Sequence, residues 1–440
     1  NIQNTFLKRI KYMESILLED NPHWNNLSAY DNFISRELLP KAVSYLTTKQ
    51  ILALIGARRV GKSTLAKLMI KELLKTVEAK NIFFINLEKP EFIPYKQDAS
   101  YLAEIFDNYL KLANPNLSEK IYFFIDEIQI FKNWEVFVKS KYENSNIKFI
   151  ITGSNSSLLT SDFATVLTGR VLKISVHSFS FTEFLKFKNI SYGSRIEQIS
   201  NKIEISRAKD EYLKWGGYFD VISTDDVIIK KDILKNIAED IIFKDIVPRY
   251  NIKNSSQLKD LFYYIVSNAT SSLNYLGLAK KINIDAKTIK EYINYFEDNF
   301  LIHTISSYHT KMTEQIKSAK KLYLSDNGFL NLGINRTINN GVMLENEVFV
   351  VLNKFCEELT YIKENYEIDF RCENSLYQVS YNIEDEKTRQ REFRAFENFD
   401  SEKKYKYKLI TYDETSLSED IEIIKYEDFI FEFEDTKRIN

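Results

Sequence analysis

Cysteine, proline and glycine are all scarce in this chain of 440 residues, which contains two, six and eleven of them. Two cysteines, Cys356 and Cys372, cannot build a disulfide scaffold or a cysteine-rich zinc module. We expect each to be a buried small hydrophobic residue or a surface thiol. The prolines and glycines form no low-complexity linker, so domain boundaries have to be inferred from the hydrophobic pattern.

Long apolar runs are missing as well. No uninterrupted apolar stretch approaches the ~18 residues that a membrane-spanning helix needs, and the charged N-terminal segment lacks the apolar core of a secretory signal. These absences predict a cytoplasmic protein with no membrane partner, and a reducing cytoplasm suits unpaired thiols. The chain is 44% apolar and 28% charged, which excludes a disordered or fibrous protein. Its length predicts about two to four domains.

The small net charge of −2 conceals an uneven distribution. Residues 341–440 contain 14 Lys and Arg against 25 Asp and Glu, whereas residues 1–340 contain 46 against 37. The last hundred residues therefore carry a net charge of −11 and the preceding part carries +9. Because phosphate backbones attract cations and repel anions, any bound nucleic acid should prefer residues 1–340.

Short apolar runs alternate with helical stretches in the first half of the chain. The runs are Ile51–Ile55, Ile82–Leu87, Ile121–Ile125, Ile147–Thr152 and Val171–Val176. This alternation predicts an α/β fold, with a parallel sheet covered by helices on both faces. Residues 1–48, before the first run, have an amphipathic helical pattern, as in Tyr30–Leu46.

The loop after the first run matches a phosphate-binding pattern. Residues 56–63 read GARRVGKS and fit G-x-x-x-x-G-K-[ST] without a mismatch, between an apolar strand and a helix predicted over Thr64–Leu74. In such a loop the backbone N–H groups surround the β-phosphate, the glycines permit the curvature, and the helix N-terminus adds its positive dipole end. Lys62 is expected to reach the β- and γ-phosphates of ATP or GTP, and Ser63 to bind Mg²⁺. The predicted nucleotide-binding residues of the loop are Gly56, Arg58, Arg59, Val60, Gly61, Lys62, Ser63 and Thr64.

Two carboxylates follow the third run. Asp126 and Glu127 come directly after it, and proteins with this loop need acids at the tip of a neighbouring strand. We expect Asp126 to hold Mg²⁺ with Ser63, and Glu127 to polarise the attacking water, since phosphoryl transfer needs an in-line nucleophile and little covalent help. Two acids after a strand can also simply begin a solvated loop, but the phosphate-binding pattern favours the catalytic interpretation.

Ser154 and Asn155 follow the fourth run and suit a sensor that hydrogen-bonds the γ-phosphate or the attacking water. An N-cap for the helix predicted over Leu158–Thr168 explains them equally well. Arg170 closes that helix. In ring-shaped ATPases an arginine at this place reaches the γ-phosphate of a neighbouring subunit as an arginine finger. An arginine that complements the helix dipole is the simpler alternative.

Together these motifs resemble one family. The chain is similar to prokaryotic AAA-type ATPases, related to the AAA+ and STAND groups, that carry a winged helix and a restriction-endonuclease-like C-terminal domain. The resemblance is carried by Arg58–Ser63, Asp126–Gln129 with Trp134, Ile151–Ser154, Leu167–Arg170, Ser178–Phe181 with Glu183–Phe184, and Tyr212 with Gly216–Gly217. It implies ATP rather than GTP as the nucleotide. The segments predicted from pattern and resemblance are an AAA+ P-loop core with an N-terminal helical segment (1–180), a helical lid or linker (181–252), a winged helix-turn-helix (253–335) and the nuclease-like domain (336–440).

The winged helix is predicted from a helix, a tight turn and a helix over Leu273–Leu301, after a helix at Leu258–Ser267. Lys287, Thr288 and Lys290 would lie at the start of the recognition helix. A basic wing is expected from Lys311, Lys317, Lys320 and Lys321. Binding of duplex DNA and a role as a lid explain this region equally well.

The C-terminal segment begins with a helix predicted over Leu344–Glu358. The strand-like runs after it are Tyr361–Ile362, Glu367–Cys372, Leu376–Ser380 and Tyr407–Thr411. The resemblance implies a carboxylate on the helix, an Asp on a strand and an acid-x-Lys on the next strand, for metal-dependent phosphodiester hydrolysis. Glu345 and Asp369 supply the first two, but Gln378–Ser380 stands where acid-x-Lys is expected. With no lysine there, we expect a catalytically inactive domain that binds an unidentified protein, with its acids, Glu367 included, satisfied by hydrogen bonds.

The sequence thus predicts a Mg²⁺-dependent ATPase that works as a nucleotide-driven switch or motor, with Lys62, Glu127 and Arg170 as its catalytic residues. Action of Arg170 in trans implies a homo-oligomer. Two alternatives are an ATP-dependent DNA nuclease of a defence system and a nucleotide-sensing DNA-binding regulator with negligible hydrolysis.

Overall fold

The computed structural model describes residues 12–155, 167, 169–334, 339–399, 404–417 and 420–436. The chain divides into two compact units, Asn1–His177 and Ser178–Asn440, and each is described by itself. Within the described ranges, no helix is long and apolar enough to cross a membrane.

The first unit is built on five parallel strands. They are β1 (Ile51–Ile55), β2 (Ile82–Asn86), β3 (Ile121–Asp126), β4 (Ile147–Gly153) and β5 (Val171–Ser175). Their order in the sheet is β2-β3-β4-β1-β5. Every residue of β1 and β4 is buried, which requires cover on both faces and explains why β1 reads as a continuous apolar run, whereas β4 is interrupted at Lys148. The predicted α/β class is confirmed.

Helices connect these strands. After α1 (residues 12–20) come α2 (Leu39–Ser44), α3 (Lys62–Leu73), α4 (Ser100–Ala113) and α5 (Trp134–Asn144). The helix predicted over Tyr30–Leu46 is wrong, because only α2 within it is α-helical. Pro40 lies in the first turn of α2, where proline can begin a helix but prevents its extension towards the N-terminus. The helix predicted over Leu158–Thr168 lies outside the described residues except for Leu167.

The carboxyl ends of three neighbouring strands carry the predicted site. Gly56 follows β1, Glu127 follows β3 and Ser154 follows β4, and the ends of adjacent parallel strands share one edge of a sheet. Arg170 precedes β5, and its carbonyl accepts a 2.8 Å hydrogen bond from the N–H of Ile51, the first residue of β1. Arg170 therefore lies at the opposite edge of this sheet.

The second unit begins with a helical region. Its helices are α6 (Phe181–Phe187), α7 (Arg195–Ser200), α8 (Lys202–Trp215), α9 (Phe219–Ile222), α10 (Val227–Asp240) and α11 (Val247–Arg249), with a π-helical segment at Ile241–Ile246. Three more follow, α12 (Ser255–Ser267), α13 (Tyr275–Ile282) and α14 (Ala286–Asp298). Asn283 ends α13 in the left-handed conformation, and the Asp285 carboxylate caps α14 by accepting from the N–H of Thr288, so the two helices are joined by a tight turn.

An antiparallel hairpin follows these helices. It consists of β6 (Ile302–Ser306) and β7 (Lys320–Leu324), with α15 (Met312–Lys317) in the connection. A single bridge from Ser272 to Lys321 adds a short third edge to β7.

A mixed six-stranded sheet forms the last part of the unit. It follows α16 (Asn340–Phe355), and its strands are β8 (Leu359–Lys363), β9 (Glu367–Cys372), β10 (Ser375–Val379), β11 (Lys406–Thr411), β12 (Ser416–Leu417) and β13 (Ile421–Lys425). Their order is β12-β13-β11-β10-β9-β8. Helix α17 (Glu386–Phe399) lies between β10 and β11, and α18 (Tyr426–Thr436) follows β13. Strands β8 to β10 pair antiparallel, whereas β11 pairs parallel with β10, so α16 to β11 has the order α-β-β-β-α-β.

The two cysteines form a disulfide in this part of the molecule. Cys356 directly follows α16 and Cys372 ends β9, and their Cα atoms are 5.8 Å apart. The expectation of two unpaired cysteines is therefore wrong, because the fold brings together a helix end and a strand end that are 16 residues apart in sequence.

Candidate nucleotide-binding site

The loop from Gly56 to Gly61 joins β1 to α3. A side chain at Gly56 has no room, because a Cβ there would lie 2.0 Å from the carbonyl oxygen of Val176. Gly61 has a φ of +93°, a conformation that favours glycine. Both glycines of the pattern are thus required by the backbone path, as the sequence motif indicates.

Lys62 is the first residue of α3 and is 4% exposed. Its Nζ donates to the carbonyl oxygens of Gly56 (3.1 Å) and Ala57 (2.9 Å), and it lies 3.4 Å from Glu127 Oε1. Two of its three contacts are therefore neutral carbonyl groups of the loop itself. A buried ammonium with a single, relatively distant carboxylate is well prepared to exchange these contacts for an anion.

Ser63 and Asp126 meet across the loop and the tip of β3. The Ser63 hydroxyl donates to Asp126 Oδ2 at 2.7 Å, and the Thr152 hydroxyl donates to Asp126 Oδ1 at 2.7 Å. The same Thr152 oxygen accepts a 2.9 Å hydrogen bond from the N–H of Glu127. Adjacent hydroxyl and carboxylate oxygens are the donors that Mg²⁺ prefers, so Ser63 and Asp126 fit the predicted metal site.

Glu127 adopts a φ of +56°, which is unusual for a residue other than glycine. Gln129 Nε2 donates to Glu127 Oε2 at 2.5 Å and to Ser154 Oγ at 3.2 Å. Within the described part of the chain, the buried Oε1 atom of Gln129 has no hydrogen-bond partner. The structure thus brings the predicted base and one predicted sensor together through Gln129, a residue to which sequence reasoning assigned no role.

Burial and charge shift the two acids in opposite directions. Burial, together with the charge of Glu127, raises the pKa of Asp126 to about 6, although hydrogen bonds from Thr152 and Ser63 act against this. Burial also acts to raise the pKa of Glu127, but Lys62, Gln129 and Arg58 outweigh it, so this pKa lies below its usual value. The resulting charge distribution keeps Glu127 ionised and able to accept a proton.

The other predicted loop residues lie around this centre. Arg59 has a left-handed φ of 65°, and Thr64 lies in the first turn of α3. Arg58 Nη1 is 2.5 Å from Glu88 Oε1. Val60 is buried, and its carbonyl accepts a 2.8 Å hydrogen bond from Arg36 Nη1.

Arg36 is a residue that the sequence analysis missed. It is 4% exposed, and it also donates from Nη2 to the carbonyl of His177 at 2.8 Å. Arg36 therefore links the phosphate-binding loop to the segment that follows β5. The sequence offers no signal for it, since the segment containing Arg36 was predicted to be an amphipathic helix.

Ser154 and Asn155 are both buried beyond the end of β4. Arg170 is not brought to the loop of its own chain. Its Nη2 lies 3.1 Å from Glu143 Oε1, and its guanidinium carbon is 5.9 Å from the ring centre of Tyr142. If Arg170 contacts bound phosphates, it has to be those bound by another copy of the chain.

Several motif residues of the second unit hold its fold together. Asp326 Oδ2 accepts from the Ser178 hydroxyl at 2.6 Å and from the N–H of Gly217 at 2.9 Å. The Tyr212 hydroxyl donates to the carbonyl of Phe179 at 2.8 Å. A Cβ at Gly217 would lie 2.1 Å from that same carbonyl oxygen, so this part of the motif serves packing rather than chemistry.

The sequence predicts that Lys321 contributes to a basic wing, and this prediction is wrong. Lys321 is 3% exposed, and its Nζ makes ion pairs with Glu345 (2.7 Å), Glu367 (2.8 Å) and Asp369 (3.2 Å). The prediction that the nuclease-like acids lack a lysine is therefore wrong: the lysine comes from β7, outside the segment in which acid-x-Lys was sought. Of the predicted recognition-helix residues, Lys287 and Lys290 are exposed, whereas the Thr288 hydroxyl bonds the capping carboxylate of Asp285 at 2.6 Å.

Comparisons with known proteins cover the region that contains this loop. A family model described as an AAA domain matches residues 48–185, which include the loop, both acids and Ser154. A second model, a domain of unknown function named DUF8612, matches residues 206–337. Among solved structures, the ORC1 protein of Aeropyrum pernix in complex with DNA is 9% identical, with a TM-score of 0.30 over 67% of this chain and 90% of that chain, a similarity too weak to support any argument.

Two relatives are similar over most of their length. The uncharacterized protein MJ1544 of Methanocaldococcus jannaschii is 34% identical over 385 residues, covering 84% of this chain and 83% of that protein. An uncharacterized protein of Haemophilus influenzae is 30% identical over 364 residues, covering 80% of this chain and 87% of that protein. The chain therefore belongs to the family of these two proteins.

Proposed function

We propose that this protein is a Mg²⁺-dependent ATPase of the AAA+ class that acts as a nucleotide-driven switch or motor. One observation carries the proposal: Lys62 and Ser63 of the loop contact the acid pair, with Ser63 Oγ 2.7 Å from Asp126 Oδ2 and Lys62 Nζ 3.4 Å from Glu127 Oε1. These contacts support the proposal, because phosphoryl transfer requires the phosphate-binding loop, the metal ligands and the water-activating group to be close together.

The binding step belongs to the loop. Its backbone N–H groups and the N-terminus of α3 receive the phosphates, and Lys62 exchanges its carbonyl contacts for phosphate oxygens. Ser63 and Asp126 would hold Mg²⁺, which neutralises charge on the phosphates when bound. Arg36, through the carbonyl of Val60, keeps the outer side of the loop in place.

The chemical step belongs to Glu127 and its neighbours. As phosphates compete for Lys62, the 3.4 Å contact between Lys62 and Glu127 weakens, and the carboxylate becomes available to a water molecule. Gln129 fixes its orientation by donating to Oε2. Gln129 Oε1, buried and without a partner among the described residues, is placed to accept a hydrogen bond from the same water. Ser154, the predicted sensor, is bonded to the same amide.

Two substitutions test this function. Lys62→Ala should abolish ATP binding, because it removes the buried cation of the loop. Glu127→Gln should keep ATP binding within about threefold and lower turnover by roughly 10²–10⁴, the usual contribution of a general base. Binding is measured by fluorescence titration with a labelled ATP and turnover by phosphate release. Lys75→Ala, at an exposed lysine after α3, is the control.

Normal hydrolysis by Lys62→Ala would refute the proposal. The competing function is a nucleotide-sensing regulator that binds ATP and hydrolyses almost none of it. The contact of Glu127 with Lys62 is the observation that favours this competitor, and a single-turnover measurement with excess enzyme separates the two.

For residues 253–335 we retain the winged-helix interpretation. Three helices followed by a hairpin support it, as do the exposed Lys287 and Lys290 at the start of α14. A duplex-binding role and a lid role both fit this arrangement. A titration with duplex DNA at several salt concentrations distinguishes them: a DNA binder loses about one unit of salt slope for each phosphate-contacting lysine changed to alanine, whereas a lid shows no binding.

For residues 336–440 we propose a restriction-endonuclease-like domain that serves for contacts with another protein. The order α-β-β-β-α-β, with Glu345 on the helix and Asp369 on the second strand, supports the comparison with that fold. Gln378 stands where an acid would be expected, and it is used as a neutral connector: Nε2 donates to Glu392 Oε2 at 2.5 Å.

A further inference from the structure

Three carboxylates of the second unit surround one lysine. Lys321 Nζ lies 2.7 Å from Glu345 Oε1, 2.8 Å from Glu367 Oε1 and 3.2 Å from Asp369 Oδ1. An ammonium group has three N–H donors and no acceptor, so each donor has one carboxylate. All three N–H donors of Lys321 are therefore used within the cluster, and none is left for another molecule.

Separate elements deliver the four charges. Side chains alternate along β7, so Lys320 is half exposed whereas Lys321 points inward and is 3% exposed. Glu367 and Asp369, two residues apart on β9, share a face, and Glu345 comes from α16. The second oxygens of two of the acids are used as well: Asp369 Oδ2 accepts from the N–H of Val379 at 2.9 Å, and Glu367 Oε2 is paired with Lys363.

The restriction-endonuclease-like interpretation implies a divalent cation at these acids, and the residues present do not fit one. Mg²⁺ in contact with the same oxygens, at about 2.0–2.1 Å, would have to take them from the Lys321 ammonium, which already pairs with one oxygen of each acid. Among the described residues, no group of three or more His, Cys, Asp or Glu is arranged to hold a metal ion. Burial alone would lower the pKa of Lys321, but Asp369, Glu345 and Glu367 raise it well above its usual value, so the lysine keeps its charge.

We propose that the Lys321 ammonium is a built-in cation that takes the place of a divalent ion in this acid cluster. The cluster then joins β7 of the hairpin to β9 and α16, and its function is to hold these elements together rather than to cleave a phosphodiester. Removing the cation leaves three buried or half-buried carboxylates facing one another, which is strongly unfavourable, and opens a position that an added cation can fill. This proposal concerns the second unit and does not depend on ATP hydrolysis.

The test compares thermal unfolding of the full chain with and without Mn²⁺, in the absence of nucleotide. Lys321→Met removes the charge and keeps most of the side-chain volume; we expect its melting temperature to fall by about 10 °C. Millimolar Mn²⁺ should restore several degrees to Lys321→Met, and adding Asp369→Asn should abolish that gain. The wild type should show no Mn²⁺ response that depends on Asp369. Lys320→Met, on the other face of β7, should behave as the wild type does.

Three results would overturn the proposal. One is a Lys321→Met variant that melts with the wild type. Another is a destabilised Lys321→Met that does not respond to Mn²⁺. The third is Mn²⁺ binding by the wild type, measured by electron paramagnetic resonance, that is lost in Asp369→Asn. This last measurement needs no lysine variant, so it decides the question even if Lys321→Met fails to fold.

Discussion

Lys62 in the first unit and Lys321 in the second are both buried lysines that face carboxylates, but their partners differ. Lys62 contacts two backbone carbonyls and one carboxylate at 3.4 Å. Lys321 contacts three carboxylates between 2.7 and 3.2 Å. Around Lys62 the negative charge is small and the loop offers N–H groups, so an incoming anion is favoured. Around Lys321 the acids outnumber the lysine, so an anion is excluded.

This difference shows that a lysine among acids is not by itself a sign of catalysis. What decides is whether the lysine can exchange its partners at low cost. In the proposed function Lys62 would exchange neutral carbonyls for phosphate and gain charge pairing, whereas Lys321 would have to abandon three ion pairs in a buried place. The first arrangement suits a binding site and the second suits a structural connection.

The largest effect that would sharpen this comparison concerns Arg170. If the first unit is a catalytic site completed by another copy, Arg170→Ala should lower ATP turnover by on the order of 10³, and wild-type turnover should rise more than linearly with protein concentration. Glu143→Gln, which removes the 3.1 Å ion pair of Arg170 but keeps the arginine, is the matched control and should retain activity. Full activity of a monomer at nanomolar concentration would exclude the arginine-finger role.

The disulfide provides the next largest effect, now in the second unit. Cys356 and Cys372 close a loop of 16 residues between the end of α16 and the end of β9, and a loop of about 15 residues corresponds to roughly 3 kcal/mol of stabilisation. Reduction, or Cys356→Ser with Cys372→Ser, should lower the free energy of unfolding of this unit by that order, as followed by calorimetry. Turnover of the first unit should not change. A melting temperature independent of reductant would contradict the disulfide.

Matched Asp→Asn substitutions should change stability with opposite signs. Burial raises the pKa of Asp126 from 3.8 to about 6. Because its folded pKa exceeds the unfolded value, stability falls as pH rises between these two values. Asp126→Asn removes this dependence, so in metal-free buffer it should match the wild type near pH 4 and exceed it at pH 7 by on the order of 1 kcal/mol.

Asp369→Asn, in contrast, takes one ion pair from Lys321 and should lower stability at pH 7 by about 1–2 kcal/mol. Denaturant unfolding from pH 4 to pH 8 measures the free energy of unfolding of both variants and of the wild type. If both substitutions changed the free energy of unfolding at pH 7 in the same direction, the contrast between the two lysines would be wrong.

The smallest expected effect is none at all. Incubation of plasmid with the protein, ATP and Mg²⁺ or Mn²⁺ should produce no nicked DNA, since Lys321 is fully engaged and Gln378 cannot supply the charge that an acid would give a divalent ion. Gel electrophoresis checks this. Cleavage that disappears in Asp369→Asn would show that the cluster functions as a nuclease site.

The strands of the first unit could be predicted to within one residue because β1 to β4 are almost wholly buried and read as mainly apolar runs. Strand β5 is less buried, but Val171, Leu172 and Ile174 still mark its position. The phosphate-binding loop could be predicted for a different reason: its conformation requires glycine at Gly56 and Gly61. The positions of Asp126 and Glu127 near the loop could be predicted from the parallel sheet, because the carboxyl ends of its strands share one edge even when they are far apart in sequence.

What the sequence could not provide is contact between distant segments. Nothing in the alternation of Lys320 and Lys321 indicates which of them faces inward, and the acids that pair with Lys321 lie at least 24 residues further on. The disulfide was missed because the number of cysteines does not indicate which helix and strand ends the fold brings together. Arg36 was missed because Pro40 limits α2 to Leu39–Ser44, which leaves Arg36, three residues before the helix, in a loop from which its side chain reaches the phosphate-binding segment.

The left-handed backbone of Glu127, with φ of +56°, has a consequence for protein engineering. Such a conformation costs a glutamate roughly 1 kcal/mol or more, which glycine or asparagine would largely avoid. If Glu127 activates water as proposed, a library screened for thermal resistance alone should enrich Gly and Asn at position 127 and yield more stable proteins that bind ATP without hydrolysing it. Screening for heat tolerance and for phosphate release in alternate rounds is needed to keep the glutamate.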